Sequence, residues 1–447
     1  MHIAIIGNGI SGVTAARFIR KYSDHQITMI SAETDYFFSR TALMYIYMGH
    51  MRFEDTQPYE PWFWKKNRID LLRAYVKKVD TPNKKLHFAD QQAPLSYDKL
   101  IIACGSRPNK FGWPGQDLKN VGGLYSYQDL EAMEAASKEG IQRAVIVGGG
   151  LIGIEMAEMF HARHIPVTFL VRESSYWNAV LPAQESQMIN RHILENGIDL
   201  RLSTELKEII DDGTGKCRAV VTNTGETIEC QYVGLTAGVS PNIAFLKDSG
   251  IEMQRGIIVN EYLETNVPDV YAIGDCSQHS NPNEGRRPIE AVWYTGRMMG
   301  ETLAYTICKK RVRYNPTIWF NSAKFIDIEY QIYGTVLARA PENHQSLYWE
   351  HAEGRKAIRL VYDKNDGKIL GFHLMGIRYR HEVCEKWIRE GAHIEAVLRD
   401  LSLANFDPEF YKQYENDILQ TYNQQTGKKL TLQKKRSWNQ VFSFLRS

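Results

Sequence analysis

The stretch that decides the fold is residues 2–12, HIAIIGNGISG, a short apolar run that ends in a glycine-rich turn. The segment VTAARFIRKY that follows has helical periodicity, and QITMI (26–30) predicts a second strand. In this context the first glycine of G-x-G-x-x-G permits a tight turn and the second lets a pyrophosphate approach the backbone. The third lets the helix lie close on the strand. The sequence therefore predicts a dinucleotide-binding unit built on Gly7, Gly9 and Gly12.

A second copy of the pattern lies in residues 143–160, RAVIVGGGLIGIEMAEMF, and strand PVTFLV (166–171) follows it. Its glycines are Gly148, Gly150 and Gly153. A duplicated fingerprint predicts two bound dinucleotides, or one dinucleotide and a second unit that is only a relic of the fold.

A third signal is VPDVYAIGDCSQ (267–278), an apolar strand that ends in Gly274 and Asp275. An aspartate at the end of a strand can accept hydrogen bonds from sugar or ribitol hydroxyls, and the glycine leaves room for the ligand. Alone, the motif is also compatible with an ordinary strand–turn boundary.

Composition excludes several classes of protein. A length of 447 residues predicts about three domains, and 43% hydrophobic with 24% charged residues is typical of a soluble globular protein. A net charge of +2 gives no reason to expect a nucleic-acid partner. The chain enters a strand at once and has no run of roughly 18 apolar residues, so we expect neither a signal peptide nor a transmembrane helix. The six cysteines are widely spread, with no metal-ligand spacing, and we expect reduced thiols in the cytoplasm and no metal.

The three motifs, in this order, resemble the two-dinucleotide-binding flavoproteins of the FAD-dependent pyridine nucleotide–disulfide oxidoreductase superfamily. LIIACGSRP (100–108) is similar to the turn that leads out of the FAD domain, and GLTAGVSPN (234–242) to the returning strand. The resemblance covers about residues 1–315. It implies an α/β fold with two three-layer Rossmann-like domains, the NAD domain inserted in the FAD domain, and a C-terminal α+β domain. The implied boundaries are 1–112 with 239–312 for FAD, 113–238 for NAD(P), and 313–447 for the C-terminal interface domain with its basic tail.

The resemblance also implies which residues bind each cofactor. For the co-substrate NAD(P)H they are Gly148, Gly150, Gly153, Glu155, Arg172 and Gly238. For FAD they are Gly7, Gly9, Gly12, Ser31, Glu33, Arg40, Val76, Cys104, Gly105, Gly274, Asp275 and Val292.

Two positions depart from the family pattern. In the family an acidic residue at the end of the second strand binds the adenosine ribose, and here that place reads Ser31-Ala32-Glu33. Either the acid is displaced to Glu33 or Ser31 takes its role. In the second unit the matching place reads Arg172-Glu173. An arginine there favours the 2′-phosphate of NADPH, whereas the neighbouring acid keeps NADH open.

The stretch FFSRTALMYIYM (37–48) indicates which branch of the superfamily the chain is similar to. Thiol-using members resembling coenzyme A disulfide reductases place a cysteine where this sequence has Arg40. Arginine stands at this position in ferredoxin and rubredoxin reductases, in apoptosis-inducing-factor-like proteins and in the flavin part of nitrite reductases. Arg40 therefore implies flavin chemistry without a thiol. Its guanidinium would pair with the FAD pyrophosphate or stabilise the reduced flavin. The alternative is a solvated arginine on a surface loop. The resemblance places Glu155 near the nicotinamide, so Glu155 and Arg40 are the candidate catalytic residues.

The C-terminal third predicts a hairpin in residues 355–376 and helices in 380–403. By analogy, this part mediates a homodimer. Residues 426–447 carry six basic and no acidic side chains, with Trp438, Val441, Phe442 and Leu445 on one helical face. We expect this tail to be a membrane-surface anchor, a docking tail for an acidic carrier, or a segment that is folded on its own body or disordered.

The expected function is electron transfer by a cytoplasmic enzyme, and a peripheral position at the inner membrane is the alternative location. Hydride passes from NAD(P)H to FAD, and electrons then pass to a carrier protein such as ferredoxin or rubredoxin. The alternatives are an NAD(P)H:quinone dehydrogenase at the membrane surface, the flavin subunit of a nitrite-reductase-like system, and a redox-responsive protein that binds FAD and NAD(P)H but turns over poorly.

Overall fold

The computed structural model describes residues 1–283, 285–407, 409 and 412–433, which divide into two compact units. The first unit comprises residues 1–177 and 193–316; the second comprises residues 178–192 and the described residues from 317 onward. The helices of the described chain, numbered in chain order, are α1 (Ile10–Tyr22), α2 (Leu43–Tyr47), α3 (Pro61–Lys66), α4 (Tyr127–Glu139), α5 (Leu151–Ala162), α6 (Ala183–Glu195), α7 (Trp293–Cys308), α8 (His381–Arg389), α9 (Ile394–Arg399) and α10 (Glu415–Thr426).

The strands of the first unit form two parallel sheets and several small antiparallel or two-stranded ones. They are β1 (His2–Ile6), β2 (Gln26–Ser31), β3 (Ile69–Arg73), β4 (Val76–Asp80), β5 (Lys85–Phe88), β6 (Leu95–Ser96), β7 (Lys99–Ile102), β8 (Ser106–Pro108), β9 (Val121–Gly122), β10 (Ala144–Val147), β11 (Val167–Val171), β12 (Asp199–Leu202), β13 (Leu206–Asp211), β14 (Cys217–Thr222), β15 (Thr227–Glu229), β16 (Tyr232–Leu235), β17 (Val239–Pro241), β18 (Ile257–Val259), β19 (Val270–Ala272) and β20 (Ser277–His279).

The first parallel sheet has the strand order β19-β7-β1-β2-β3. Its central strands are continuous apolar runs, as expected where both faces of a parallel sheet are buried, and Ile3, Ile5 and Ile101 are fully buried. Helices α1 and α7 pack together closely because a Cβ atom on Gly300 would overlap the main chain of Ser11. The carboxyl ends of β1, β7 and β19 therefore meet beside the N-terminus of α1, where ligands bind in open α/β sheets.

The second parallel sheet has the order β12-β11-β10-β16-β9 and repeats the arrangement around α5. Its core includes Val145, Leu170, Val220 and Val233, all nearly or fully buried. The antiparallel meander β13-β14-β15 packs on this core. Two parallel sheets, each with a glycine turn, confirm the fold class predicted from the duplicated fingerprint.

The strands of the second unit are β21 (Phe320–Phe325), β22 (Ile328–Gly334), β23 (His344–Glu350), β24 (Ala357–Asp363) and β25 (Ile369–Met375). They form one antiparallel sheet of order β21-β22-β25-β24-β23. The predicted hairpin in 355–376 is confirmed as β24–β25, and α8 and α9 confirm the helices predicted in 380–403.

Residues 434–447, which hold most of the basic tail and the face of Trp438, Val441, Phe442 and Leu445, lie outside the described residues. The three-domain boundaries stay a prediction.

Candidate dinucleotide-binding sites

The turn between β1 and α1 is shaped by three glycines with different tasks. Gly7 has a φ of +108°, and a Cβ atom there would overlap the carbonyl group of Ala103. A Cβ atom on Gly12 would overlap the carbonyl oxygen of Gly7, so both glycines are required by the chain's own packing. Nothing in the protein lies within 4 Å of a Cβ built on Gly9, which precedes α1 as an N-cap without a side-chain hydrogen bond. The N-terminus of α1 therefore faces open space, which fits a dinucleotide pyrophosphate.

The turn between β10 and α5 has the same construction. Gly148 has a φ of +116°, and Cβ atoms on Gly148 and Gly153 would overlap backbone atoms of Thr236 and Gly148 respectively. The space beside Gly150 is again open, and this N-cap also lacks a side-chain hydrogen bond. The buried hydroxyl of Tyr176 donates a hydrogen bond of 3.0 Å to the Gly150 carbonyl and steadies the turn. Both fingerprints therefore fit a bound dinucleotide, which argues against an empty relic.

Three of the predicted FAD residues come together at the ends of β7 and β19. Gly274 has a φ of +74°, and a Cβ atom there would overlap the Ser11 side chain in the first turn of α1. Asp275 follows it, and burial raises the pKa of this carboxyl group. A Cβ atom on Gly105 would meet the hydroxyl of Tyr125, 2.6 Å away. The carboxylate of Asp275 thus stands beside the open turn, where it can accept hydrogen bonds from sugar hydroxyls.

Tyr125 is a site residue that the sequence reasoning missed. Its hydroxyl donates to Oδ2 of Asp275 at 3.3 Å and accepts from the backbone N–H of Ser106 at 2.7 Å. Burial, with Asp275 nearby, raises the pKa of this phenol well above its ordinary value, so it stays a donor at neutral pH. The sequence carried no direct signal for it, because Gly105 has a φ of +67° that by itself accounts for a glycine there.

Cys104 and Cys276 are also neighbours, although they lie far apart in sequence. Their thiols donate to main-chain carbonyls, that of Cys104 to Asn242 at 3.3 Å and that of Cys276 to Ile273 at 3.3 Å. The neighbouring Cys276 thiol and burial together raise the pKa of Cys104 well above its ordinary value. Cys104 is therefore a protonated, poorly nucleophilic thiol beside the candidate flavin site.

Arg40 forms a two-pronged ion pair with Glu33, with N–O distances of 2.7 and 2.5 Å. It also donates to the carbonyl of Tyr125 and lies 4.6 Å over that ring. The same Glu33 carboxylate accepts from the backbone N–H of Tyr127 at 2.9 Å. The Arg40 side chain is 27% exposed, so it is held in place and is not a solvated loop arginine. The two predicted FAD residues Glu33 and Arg40 are thus joined to Asp275 through Tyr125.

Ser31, the other ribose candidate, uses its hydroxyl oxygen locally. That oxygen accepts from the backbone N–H of Glu33 at 3.2 Å and closes the turn after β2. The Glu33 carboxylate accepts from Arg40 and from the Tyr127 backbone N–H, so both ribose candidates already take part in hydrogen bonds within the protein. Their role as ribose contacts stays a prediction.

The end of the 37–48 stretch is anchored to the second nucleotide unit through Tyr47. This fully buried side chain packs edge-on against Phe160 of α5, and its hydroxyl lies 2.6 Å from that of Ser137 in α4. The guanidinium of Arg163 lies 3.5 Å over the Tyr47 ring and donates from Nε to its carbonyl at 2.8 Å. These contacts tie α2, the helix that directly follows Arg40 in the chain, to α4 and α5.

The remaining predicted residues occupy separate places. Glu155 lies in α5 after the second turn, and Gly238 follows β16 with a φ of +91°. Arg172 follows β11, is 70% exposed and pairs with the adjacent Glu173 at 2.9 Å. Val292 is the N-cap of α7, whereas Val76 begins β4 in another sheet.

Comparison with known proteins identifies this geometry. The sequence pattern of the pyridine nucleotide-disulphide oxidoreductase family matches residues 1–300. The chain belongs to this family. The family uses FAD with NAD(P)H as co-substrate, so the predicted enzyme class and cofactors are confirmed.

Individual relatives vary in how much of them the chain covers. It is 32% identical over 286 residues to a rubredoxin-NAD(+) reductase of Acinetobacter baylyi, covering 62% of this chain and 72% of that protein. It is 31% identical over 281 residues to a nitrite reductase [NAD(P)H] of Bacillus subtilis. That match covers 62% of this chain but 34% of the relative, so the chain spans about a third of the relative's length. A NAD-dependent persulfide reductase from A. fulgidus superposes with a TM-score of 0.84 at 23% identity, over 96% of this chain and 84% of that one, which confirms the fold.

Proposed function

We propose that this FAD-dependent NAD(P)H oxidoreductase passes its electrons to a carrier protein such as ferredoxin or rubredoxin. The observation that carries the proposal is Arg40, which stands where thiol-using relatives place cysteine and is held by Glu33 and Tyr125. The stretch 37–48 contains no cysteine, so a mixed disulfide cannot form there. Similarity to a rubredoxin-NAD(+) reductase supports a protein acceptor.

The residues described above would hold both cofactors and orient them. The N-termini of α1 and α5 would bind the two pyrophosphates, and Asp275 with Tyr125 would bind flavin-chain hydroxyls. When bound, FAD accepts a hydride from NAD(P)H and releases electrons to an acceptor. Glu155 would position the nicotinamide, and Val292 would set the start of α7 at the flavin. Arg40, paired with Glu33, would hold the backbone of Tyr125 in place beside Asp275.

For the coenzyme we propose a preference for NADPH. The guanidinium of Arg172 is largely exposed at the end of β11, where it can meet a 2′-phosphate. Its present partner, Glu173, is the acid that would otherwise accept hydrogen bonds from the ribose of NADH, and Arg172 occupies one of its oxygens.

A second candidate is the flavin-containing part of a nitrite-reductase-like system. The similarity to the nitrite reductase favours it, and because the chain covers 34% of that relative, the comparison supports one part of such a system and not the whole. A cytoplasmic location, attachment to a membrane surface and a homodimer stay proposals. No helix among the described residues is long and apolar enough to cross a bilayer.

Anaerobic half-reactions test the proposed function. The purified protein, loaded with FAD, is mixed with NADPH or NADH, and bleaching of the flavin's visible absorption is followed. A ferredoxin, a rubredoxin, a quinone or oxygen is then added and the return of the flavin colour is timed. We expect rapid return with a carrier protein. Slow return with every acceptor would contradict the proposal and favour a binding role.

Glu155→Gln provides the matched variant for the first half-reaction. We expect slower flavin reduction with unchanged reoxidation, because Glu155 is assigned to the nicotinamide alone. An unchanged rate of reduction would refute that role.

A further inference from the structure

Two contacts from neighbouring turns of α1 reach the two ends of α3. Arg20 of α1 donates a hydrogen bond of 2.7 Å to the carbonyl of Asn67, directly after α3. Towards the other end, the guanidinium of Arg17 lies 4.9 Å over the ring of Tyr59, which stacks on Phe63 of α3 at 4.6 Å. We call the region that these two contacts span the seam between α1 and α3.

Exposed side chains of both helices flank this seam. We name them the α1–α3 patch, which consists of Arg17, Lys21, Trp62, Lys65 and Lys66. Trp62 is 58% exposed, and the ammonium group of Lys66 lies 5.0 Å over its ring. None of the four cations forms a salt bridge with a residue that the structure describes.

The surroundings leave the patch with an excess of positive charge. The carboxylates nearest in sequence are Glu60, Asp70 and Asp24, and the last is already paired with Arg68. The chain as a whole carries a formal net charge of only +2, so this local excess is a property of the surface and not of the whole composition. Such a surface attracts acidic partners over roughly a Debye length, about 8–10 Å.

Aromatic contacts connect the patch with the end of α7 that we assign to the flavin. The ring of Phe37 lies 6.2 Å from Tyr59 and 6.0 Å from Trp293. Trp293 is the first residue of α7 and follows the N-cap Val292. A protein seated on the patch would therefore be joined to the flavin end of α7 through rings in contact.

We propose that the α1–α3 patch is the docking surface for a small acidic electron-carrier protein. The inference rests on the proposed function, because it names the place where that acceptor binds. A large exposed ring among cations is typical of a protein-interface anchor, and unpaired cations speed encounter with an acidic partner. Trp62 is the only large apolar side chain exposed on the patch, which gives a bilayer too little apolar surface to bury.

Charge reversal tests the docking surface. The patch variant carries Lys21→Glu and Lys66→Glu; the matched control carries Lys207→Glu and Lys247→Glu, two exposed lysines elsewhere in the first unit with the same change in net charge. The probes are an acidic plant-type [2Fe–2S] ferredoxin and ferricyanide, a small acceptor that needs no docking surface. We expect the patch variant to raise KM for ferredoxin about tenfold. Turnover with ferricyanide should not change in either variant.

Further measurements separate the alternatives. Trp62→Ala should also raise KM for ferredoxin. Added salt should reduce the difference in KM for ferredoxin between wild type and the patch variant, because it screens the charges of the patch. If wild type reduces ferricyanide but no carrier protein, the proposed function and the docking surface both fail. If it reduces ferredoxin and the patch variant keeps the wild-type KM, the function stands and the docking surface is overturned. A third outcome is that wild type sediments with phosphatidylserine vesicles, the patch variant does not, and the two have the same KM for ferredoxin. That outcome would overturn the docking surface in favour of a membrane site.

Discussion

The hydroxyl group of Tyr125 lies 3.3 Å from Oδ2 of Asp275 and joins it to the backbone of Ser106. One phenol thereby connects the ends of the first sheet with the segment that precedes α4. Its backbone carbonyl accepts a hydrogen bond from Arg40, so the ion pair with Glu33 belongs to the same network. The candidate flavin site is held together by a residue that no fingerprint contains.

Tyr125→Phe should weaken FAD binding about tenfold. The variant keeps the ring under Arg40 but leaves the Ser106 N–H without its acceptor and Asp275 without its donor, and an unsatisfied partly buried group costs about 1–3 kcal/mol. Titration of the apoprotein with FAD, followed by flavin fluorescence, measures the effect. Tyr127→Phe is the control, because its hydroxyl makes no hydrogen bond with the described residues. Equal affinities for wild type and Tyr125→Phe would remove Tyr125 from the site.

Arg40→Ala should weaken FAD binding or shift the flavin's reduction potential, because Glu33 would keep its charge without its partner. Arg40→Lys should rescue only part of the loss, since an ammonium group cannot form the two-pronged pair. Potentiometric titration and FAD titration give the two readouts. Arg40→Cys should not create a disulfide reductase. If neither affinity nor potential changes in Arg40→Ala, the arginine has no part in the site.

The buried carboxylate of Glu185 should make the second unit sensitive to acid. Burial alone would raise the pKa of Glu185, but hydrogen bonds from His373 and Arg359 outweigh it and lower the pKa to about 2. Because the folded pKa lies below the ordinary value of 4.5, the stabilisation is fully present above that pH. It is lost as the pH falls from about 4.5 towards 2.

Glu185→Gln should therefore lower the free energy of unfolding by about 3–5 kcal/mol at neutral pH, since Arg359 would be left buried without its charge partner. The difference from wild type should shrink at about pH 3. Urea unfolding followed by circular dichroism measures both values. Glu353→Gln, at an exposed carboxylate of the same unit, is the control and should change little. A difference that does not depend on pH would contradict the assignment.

Native protein should resist thiol alkylation at neutral pH. The raised pKa keeps Cys104 protonated, and Cys276 beside it is fully buried. Iodoacetamide followed by mass spectrometry should leave both unmodified while activity persists. Unfolded protein, in which all six cysteines should react, is the control. Rapid inactivation with modification of Cys104 would show that a thiol takes part after all.

Arg172→Gln should raise KM for NADPH about tenfold and leave KM for NADH nearly unchanged, because only NADPH carries the phosphate that the guanidinium recognises. Lys207→Gln, an exposed cation on β13, is the control for the loss of charge. Steady-state kinetics with both coenzymes provides the values. A wild-type enzyme that strongly prefers NADH would refute the proposed preference.

The glycine fingerprints predicted the strands that carry them almost to the residue, as β1 and β10 show. Packing explains this accuracy, because the Cβ space of Gly7 and Gly12 is already filled by backbone and only one arrangement fits. Tyr125 and Tyr176 escaped notice because each lies in a loop without periodicity. Their hydrogen bonds reach residues that only the folded chain brings near.

The ribose contact shows a second limit of sequence reasoning. The sequence pointed to Glu33 as a ribose contact, which stays a prediction, but gave no sign of its ion pair with Arg40, because that pair depends on how the loop between the two residues turns. Nothing in the sequence indicated that residues 178–192 join the second unit, since the partners of Glu185 come from β24 and β25.

That last pairing constrains how the protein is made. Glu185 leaves the ribosome 174 residues before Arg359, its ion-pair partner. Throughout that interval the nascent chain carries residues 178–192 without the sheet on which they pack, and translation at about 5–20 residues per second makes the wait last roughly 9–35 seconds. The first unit is thus synthesised around a segment that cannot pack on its own sheet until β24 has been synthesised. Premature termination before β24 would leave this segment exposed to chaperones and proteases.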